Sequence, residues 1–319
     1  MTRTSVASMR LHACLTLLCW LVVPAQPVCG IGWAPTDFLI GGGTAAFTNR
    51  IGVFDSNLSF KGYLDSDFFG VGGMDFDANG HLVAVSGTTL REVRVYDSSG
   101  AKIGGFIRPD NAIDASGDLV VAPGGDYVIG QANQFGADGA RRFHPDGTFV
   151  QQYGTGDARA TAFVPGDKVW TGRIGLSGFN VFDFNSGVQT ATYTITGMGS
   201  SFSMNYSAAS NTVLSISQGK VWEIDAGGNL IRTFLGATDT LSAVTRGPGG
   251  DVFATSFNAH GVFRWNQDGT FVGFLSTPQF GGTSHIGWAG NVPEPSSGML
   301  LLGAALAAGS RAGRRRGPS

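Results

Sequence analysis

Residues 73–107 read GMDFDANGHLVAVSGTTLREVRVYDSSGAKIGGFI, and this stretch decides the fold. It divides into four short runs: Met74-Asp75-Phe76, Leu82 to Val85, Val93 to Tyr96, and Lys102 to Ile107. In Val93-Arg94-Val95, apolar and charged residues alternate with the period of a half-buried strand. Asn79-Gly80 and Ser99-Gly100 supply the positive φ that tight hairpins need. The stretch therefore reads as four antiparallel strands joined by short turns.

The same layout recurs along the chain. An apolar residue followed by a polar residue and a short turn occurs at Phe54-Asp55, Tyr96-Asp97, Phe143-His144, Phe182-Asp183, Ile224-Asp225 and Trp265-Asn266. The polar positions are 42, 47, 39, 42 and 41 residues apart. Gly follows three places on at Gly100, Gly147, Gly228 and Gly269, and one place later still at Gly187; the first copy lacks it. A second turn precedes each unit, at 34–37, 77–80, 122–125, 164–167, 208–211 and 247–250. Each of these leads into a strand-like run such as Phe38-Leu39-Ile40 or Val252-Phe253-Ala254.

Two turn signatures in step at this period predict an all-β fold, a β-propeller of four-stranded blades. Six blades are expected over residues 31–291, with seven as the alternative; a large β-sandwich or a parallel β-helix competes. The turn and strand order resembles six-bladed propellers of the NHL type. Ile31-Gly32-Trp33-Ala34 recurs as Ile286-Gly287-Trp288-Ala289 after the sixth unit. Such a repeat predicts that 285–290 pair into the first blade and close the ring.

Composition agrees. Gly is abundant at 50 residues, and only three of the 23 acidic residues are Glu. Asp and Gly favour turns where Glu and Lys favour helices. Between Gln26 and Asn291 there are 15 basic and 22 acidic residues, so the body carries about −7. No basic patch points to nucleic acid.

Both ends read as addresses. Arg3 and Arg10, the apolar run Ala13 to Val23, and Val23-Pro24-Ala25 have the layout of a secretory signal peptide over 1–25, cleaved after Ala25. Cys14 and Cys19 leave with it, and Cys29 then has no partner, so no internal disulfide framework is expected. The tail, 292–319, has three parts in fixed order. Val292-Pro293-Glu294-Pro295 is held extended by its prolines. Gly298 to Ser310 is uncharged and apolar, a short helix by expectation. Arg311, Arg314, Arg315 and Arg316 form a basic stop of the positive-inside kind. This tail resembles the PEP-CTERM sorting signal of Gram-negative bacteria. The resemblance implies export through a translocon and handling by an exosortase-like membrane protease or transpeptidase. It also implies transient anchoring in the inner membrane, then delivery to the cell surface or to an exopolysaccharide-containing matrix. The apolar stretch is short for a full span of about 20 residues.

Catalytic signals are sparse. His81, His144, His260 and His285 show no metal-binding spacing. His144 occupies a turn position that Asp holds elsewhere, and His260 sits in a loop beside Asn258. Asp65-Ser66-Asp67 and Asp75-Phe76-Asp77 place oxygens close together, but Asp in turns ordinarily bonds its own backbone. Glu92 and Glu223 fall in or beside third-strand runs, away from a central channel. The innermost strands are expected to offer Trp33, Asp75, Phe76, Val120, Ala162, Phe163, Met204, Val244 and Arg246, a mostly apolar set. The expectation is a non-enzymatic binder of extracellular polysaccharide or a surface protein, with no cofactor, metal or catalytic residue. The alternative is a channel enzyme of the lactonase or quinoprotein type.

Overall fold

A computed structural model describes residues 30–290, apart from 44–48, 66–67, 69, 88–90, 110–114, 133–138, 157, 173–174, 176 and 238. The signal peptide expected over 1–25 with Ala25, the sorting motif, the short helix expected over 298–310 and the basic stop lie outside the described residues.

The stretch quoted above folds as read. It forms β4 (Val71–Phe76), β5 (Leu82–Ser86), β6 (Glu92–Tyr96) and β7 (Lys102–Ile107), paired in that order as one sheet, blade 2. Before it come β1 (Phe38–Gly43), β2 (Asn49–Phe54) and β3 (Phe60–Asp65). After it, β8 (Ala115–Val121), β9 (Tyr127–Ala132), β10 (Ala140–Phe143) and β11 (Phe149–Tyr153) make blade 3. Blade 4 is β12 (Ala160–Val164), β13 (Lys168–Gly172), β14 (Gly178–Asp183) and β15 (Gln189–Thr194). Blade 5 is β16 (Ser203–Ser207), β17 (Thr212–Ser217), β18 (Lys220–Asp225) and β19 (Leu230–Phe234). Blade 6 is β20 (Leu241–Arg246), β21 (Val252–Ser256), β22 (Gly261–Trp265) and β23 (Phe271–Ser276).

The last strand, β24 (Gly282–Trp288), is the first strand of blade 1, whose order is β24-β1-β2-β3. It runs antiparallel to β1, with Trp288 opposite Phe38 and Ile286 opposite Ile40. Ala289 N–H then donates to Asp37 O at 2.9 Å. The ring therefore has six blades, not seven. It closes with a strand from the far end of the chain, beginning three residues before the expected segment. The earlier copy, Ile31 to Ala34, lies outside every strand because the slot it resembles is taken. Trp33 instead donates its N–H to Ser98 O at 3.0 Å and is buried against Phe76.

The innermost strands β24, β4, β8, β12, β16 and β20 pack on one another in that order around the axis. Each repeated apolar residue at the end of a third strand is a wedge between blades. Tyr96 packs with Leu39 and Ile51 of blade 1, and Phe143 with Val83 and Val85 of blade 2. Phe182 packs with Tyr153 of blade 3, and Ile224 with Trp170 of blade 4. Trp265 packs with Leu214 and Phe234 of blade 5, and Phe54 with Phe253 of blade 6. All six are at most 2 % exposed. Burying one such side chain is worth about 1.5–3 kcal/mol.

The turn after each wedge is equally regular. Asp97 N–H donates to Ala101 O and Gly100 N–H to Asp97 O, and blades 1, 3, 5 and 6 repeat this pattern. In the first copy, the position of the missing glycine holds Leu58 at φ 61. A left-handed Leu costs about 1–2 kcal/mol, but Leu58 is 9 % exposed and packs into the blade 6/blade 1 cluster. Burial of about 1.5–3 kcal/mol outweighs the strain.

Two outcomes check this account in thermal melts. Removing 284–290 leaves blade 1 without its first strand and should abolish a cooperative transition. Ile286→Ala should cost about 2–4 kcal/mol, lowering Tm by roughly 5–15 °C. An unchanged Tm in both variants would contradict closure by β24.

Candidate functional site

An innermost strand has a partner on one side only, so its axis-facing N–H groups lack a ladder acceptor. Two aspartates supply acceptors. Asp75 on β4 accepts the N–H of Val121 on β8 at 2.7 Å and that of Phe76 at 2.8 Å. Asp118 on β8 accepts the N–H of Met204 on β16 at 2.8 Å, Ser203 Oγ at 3.2 Å and the N–H of Leu119 at 3.0 Å. β8 belongs to blade 3 and β16 to blade 5, so Asp118 reaches past blade 4. Gly73 permits the close approach beside it: a Cβ there would sit 2.5 Å from Leu119 N.

Burial pushes the carboxyls of Asp75 and Asp118 up to about 7 each, against the lowering effect of their N–H bonds. Asp75 adds a smaller upward push on Asp118 through like charge. Asp75 keeps some accessible surface because it borders the axis, yet protein surrounds it. On β24, burial drives the His285 imidazole down to about 4, partly offset by a hydrogen bond to the Val71 backbone. Among the described residues, His285 Nδ1 has no hydrogen-bond partner. Nearby, Ser284 Oγ donates to Gly41 O at 3.2 Å and Val71 O at 3.3 Å.

Of the residues expected on the innermost strands, Asp75, Phe76, Val120, Ala162, Phe163, Met204, Val244 and Arg246 are there. Trp33 is not, because β24 fills that place. Arg246 is engaged at a blade interface, where its guanidinium donates to Glu223 Oε1, which also accepts Thr212 Oγ1 at 3.0 Å. The sequence did not single out Asp118, and it gave His285 no place at the axis. Asp118 lies two residues before Val120, where the apolar run begins too late to mark the strand's start. His285 directly precedes the Ile-Gly-Trp repeat and becomes an axial residue only through closure.

The remaining candidates have structural partners. Glu92 and Glu223 lie on the third strands β6 and β18, as expected. Glu92 holds Arg94 at 2.7 Å and Lys102 at 3.1 Å, chiefly the former keeping its carboxyl below the usual range. His81 pairs with Asp77 at 2.9 Å, and His144 with Asp126 at 2.8 Å. His260 is exposed in the β21–β22 connection, and its carbonyl accepts Thr277 N–H at 2.8 Å. Asp75 and Asp77 do not converge: the first faces β8, while the second caps its own turn through Asn79 and His81 N–H. Asp65 pairs with Arg94 of blade 2 at 2.8 Å; Ser66 and Asp67 lie outside the described residues. Among the described residues, no three His, Cys, Asp or Glu side chains form a group suited to a metal ion.

Outside the ring, a family model for the PEP-CTERM protein-sorting motif matches residues 291–316. The chain ends in a PEP-CTERM sorting motif. That match takes in Val292, Pro293, Glu294 and Pro295 together with Arg311, Arg314, Arg315 and Arg316. No curated protein matches the sequence. The body is similar in fold to solved structures at low identity. One is a protein of unknown function from Bacteroides caccae: TM-score 0.59, 12% identity, covering 79% of this chain and 98% of that one. Another is a chain from a nidogen/laminin complex: TM-score 0.64, 10% identity, covering 78% and 97%. A third is a β-propeller domain from Myceliophteria thermophila: TM-score 0.57, 12% identity, covering 82% and 90%. These likenesses show the propeller fold. The motif marks an exported protein sorted in association with a membrane.

The axial groups give stability a definite pH dependence. Between about pH 4 and 7 the folded chain keeps protons on Asp75 and Asp118 that the unfolded chain has released, so stability falls as pH rises through that window. His285 acts oppositely between about pH 4 and 6.5, because the folded ring refuses a proton that the unfolded chain takes up. Two acids outweigh one histidine, and above pH 6.5 only the acids contribute. Tm should therefore fall from pH 5 to pH 8. Asp75→Asn with Asp118→Asn should flatten that fall and melt above the unaltered protein at pH 8. A Tm that rises over this range would refute the assignment.

Proposed function

We propose that this exported propeller is a non-enzymatic binding or structural protein of the cell surface or extracellular matrix, holding polysaccharide or a surface protein through its rim and loops. The carrying observation is how the axial carboxylates are used. Asp75 and Asp118 spend their oxygens on backbone N–H groups of their own strands and of other blades, which supports a stapling role over a reactive one. The other support is the rim. Ile231 and Leu235 at β19, and Val272 and Phe274 on β23, are between 41% and 59% exposed on neighbouring outermost strands. Large apolar side chains exposed on adjacent blades support an interaction surface there. The likeness to a chain from a nidogen/laminin complex fits a propeller that meets other proteins.

A channel enzyme is the second reading. It draws on the two carboxyls raised to about 7 inside the ring, since displaced pKa values cluster at functional sites. Stoichiometric calcium in the purified mature protein would favour it over the binding role.

Delivery is tested by fractionating the native host and determining the mature C-terminus by mass spectrometry. Cleavage near Pro293-Glu294-Pro295 with release to the surface is expected; an intact tail in the inner membrane would overturn it. The rim is tested by Ile231→Thr with Val272→Thr, which keep β-branched strand residues. Surface retention should drop several-fold with Tm within about 2 °C of the parent, and unchanged retention would remove the rim from the binding role.

A further inference from the structure

Successive strands of a blade are antiparallel, so the turns after its first and third strands emerge on one side of the ring. The other connections emerge on the opposite side. Both chain ends of the body are on the first side, the turn face. The chain enters there, with Trp33 N–H bonded to Ser98 O in the third-strand turn of blade 2. It leaves there as well, because β24 runs as a first strand and Ala289 N–H is bonded to Asp37 O, at the end of the 34–37 turn.

Only Gly290 and Asn291 separate Ala289 from Val292. Three residue steps to Val292 span at most about 11 Å, and six to Pro295 at most about 22 Å. Any enzyme acting at Val292 to Pro295 from within a membrane must therefore come against the turn face while the ring is folded. We infer that the turn face is the side of the propeller that meets the membrane-embedded sorting enzyme, leaving the opposite face directed away from the membrane. This inference rests on the sorting role of the tail.

The chemistry of that face specifies the contact. The third-strand turns carry one carboxylate per blade: Asp55, Asp97, Asp146, Asp183, Asp225 and Asp268. Backbone and side-chain donors hold most of them ionised; Asp97, for example, accepts Ser99 Oγ and the N–H groups of Ser99 and Ala101. A partner surface that docks here should be basic, since facing like charges are costly. The same ring of carboxylates opposes close approach to anionic headgroups, so a body cut free of its tail has no electrostatic reason to stay.

The test uses the full chain in a host that carries the sorting system, reading the rate of tail removal by pulse-chase. A small folded domain is inserted either after Ser98, on the turn face, or between Gln218 and Gly219, on the opposite face. The first insertion should slow removal by about tenfold or more, as misplacement of a scissile segment does; the second should not. A flexible Gly/Ser linker of about 20 residues between Gly290 and Asn291, spanning roughly 25 Å, should restore the rate of the first. Equal slowing by both insertions, or slowing by the second alone, would overturn the inference. A natural chain that is never cut removes the sorting role as well. Should an insertion unfold the ring, Ser99→Cys and Gln218→Cys are compared in a chain whose native cysteines are serine. Cross-linking to the sorting enzyme is expected from Ser99→Cys and not from Gln218→Cys; the reverse pattern overturns the inference.

Discussion

A four-stranded sheet with two apolar faces has nowhere to hide either of them alone, and the body of this protein is built around that problem. Each blade sends one wedge, Phe54, Tyr96, Phe143, Phe182, Ile224 or Trp265, into its predecessor. The resulting clusters are the interfaces between blades rather than one central core. Stability is therefore distributed around a circle, and each blade depends on having two neighbours. An open chain of blades would leave one apolar face bare at each end.

Polar groups fix the order and spacing that the wedges alone would leave loose. Arg94 of blade 2 holds Asp65 of blade 1, and Arg142 of blade 3 donates to Phe184 O beyond β14 at 3.0 Å while lying over the Phe184 ring. Arg246 of blade 6 meets Glu223 of blade 5 in a buried pair. Such a pair adds little net stability, but losing one partner costs about 3–5 kcal/mol because the other charge stays buried. Along the axis, where ladders end, Asp75 and Asp118 do comparable work on bare N–H groups.

Much of this was legible in the sequence because it is local. A hairpin turn needs its glycine and its capping Asp within five residues, so Tyr96-Asp97-Ser98-Ser99-Gly100 announces itself wherever it recurs. The wedge residues were legible as recurrences, although the blade each enters depends on ring order. What stayed hidden is non-local. Leu58 looks like a defect in the repeat until its side chain is seen filling the seam beside Phe253. Asp118 looks like one more turn aspartate until blade 5 is placed across the axis. Trp33 and Trp288 sit in the same tetrapeptide, and only the competition for one edge of β1 decides which joins the sheet.

That competition also sets a clock. Ser284 and Gly41, whose contact seals blade 1, are 243 positions apart. Bringing ends that far apart together costs about 5 kcal/mol of chain entropy, against roughly 1–2 for a hairpin. A polypeptide threaded outward from its N-terminal end delivers β1, β2 and β3 first. Blade 1 then remains one strand short until nearly all of the body has crossed. Completion of the circle is thus a report that the passage is over, issued by the segment that immediately precedes the tail.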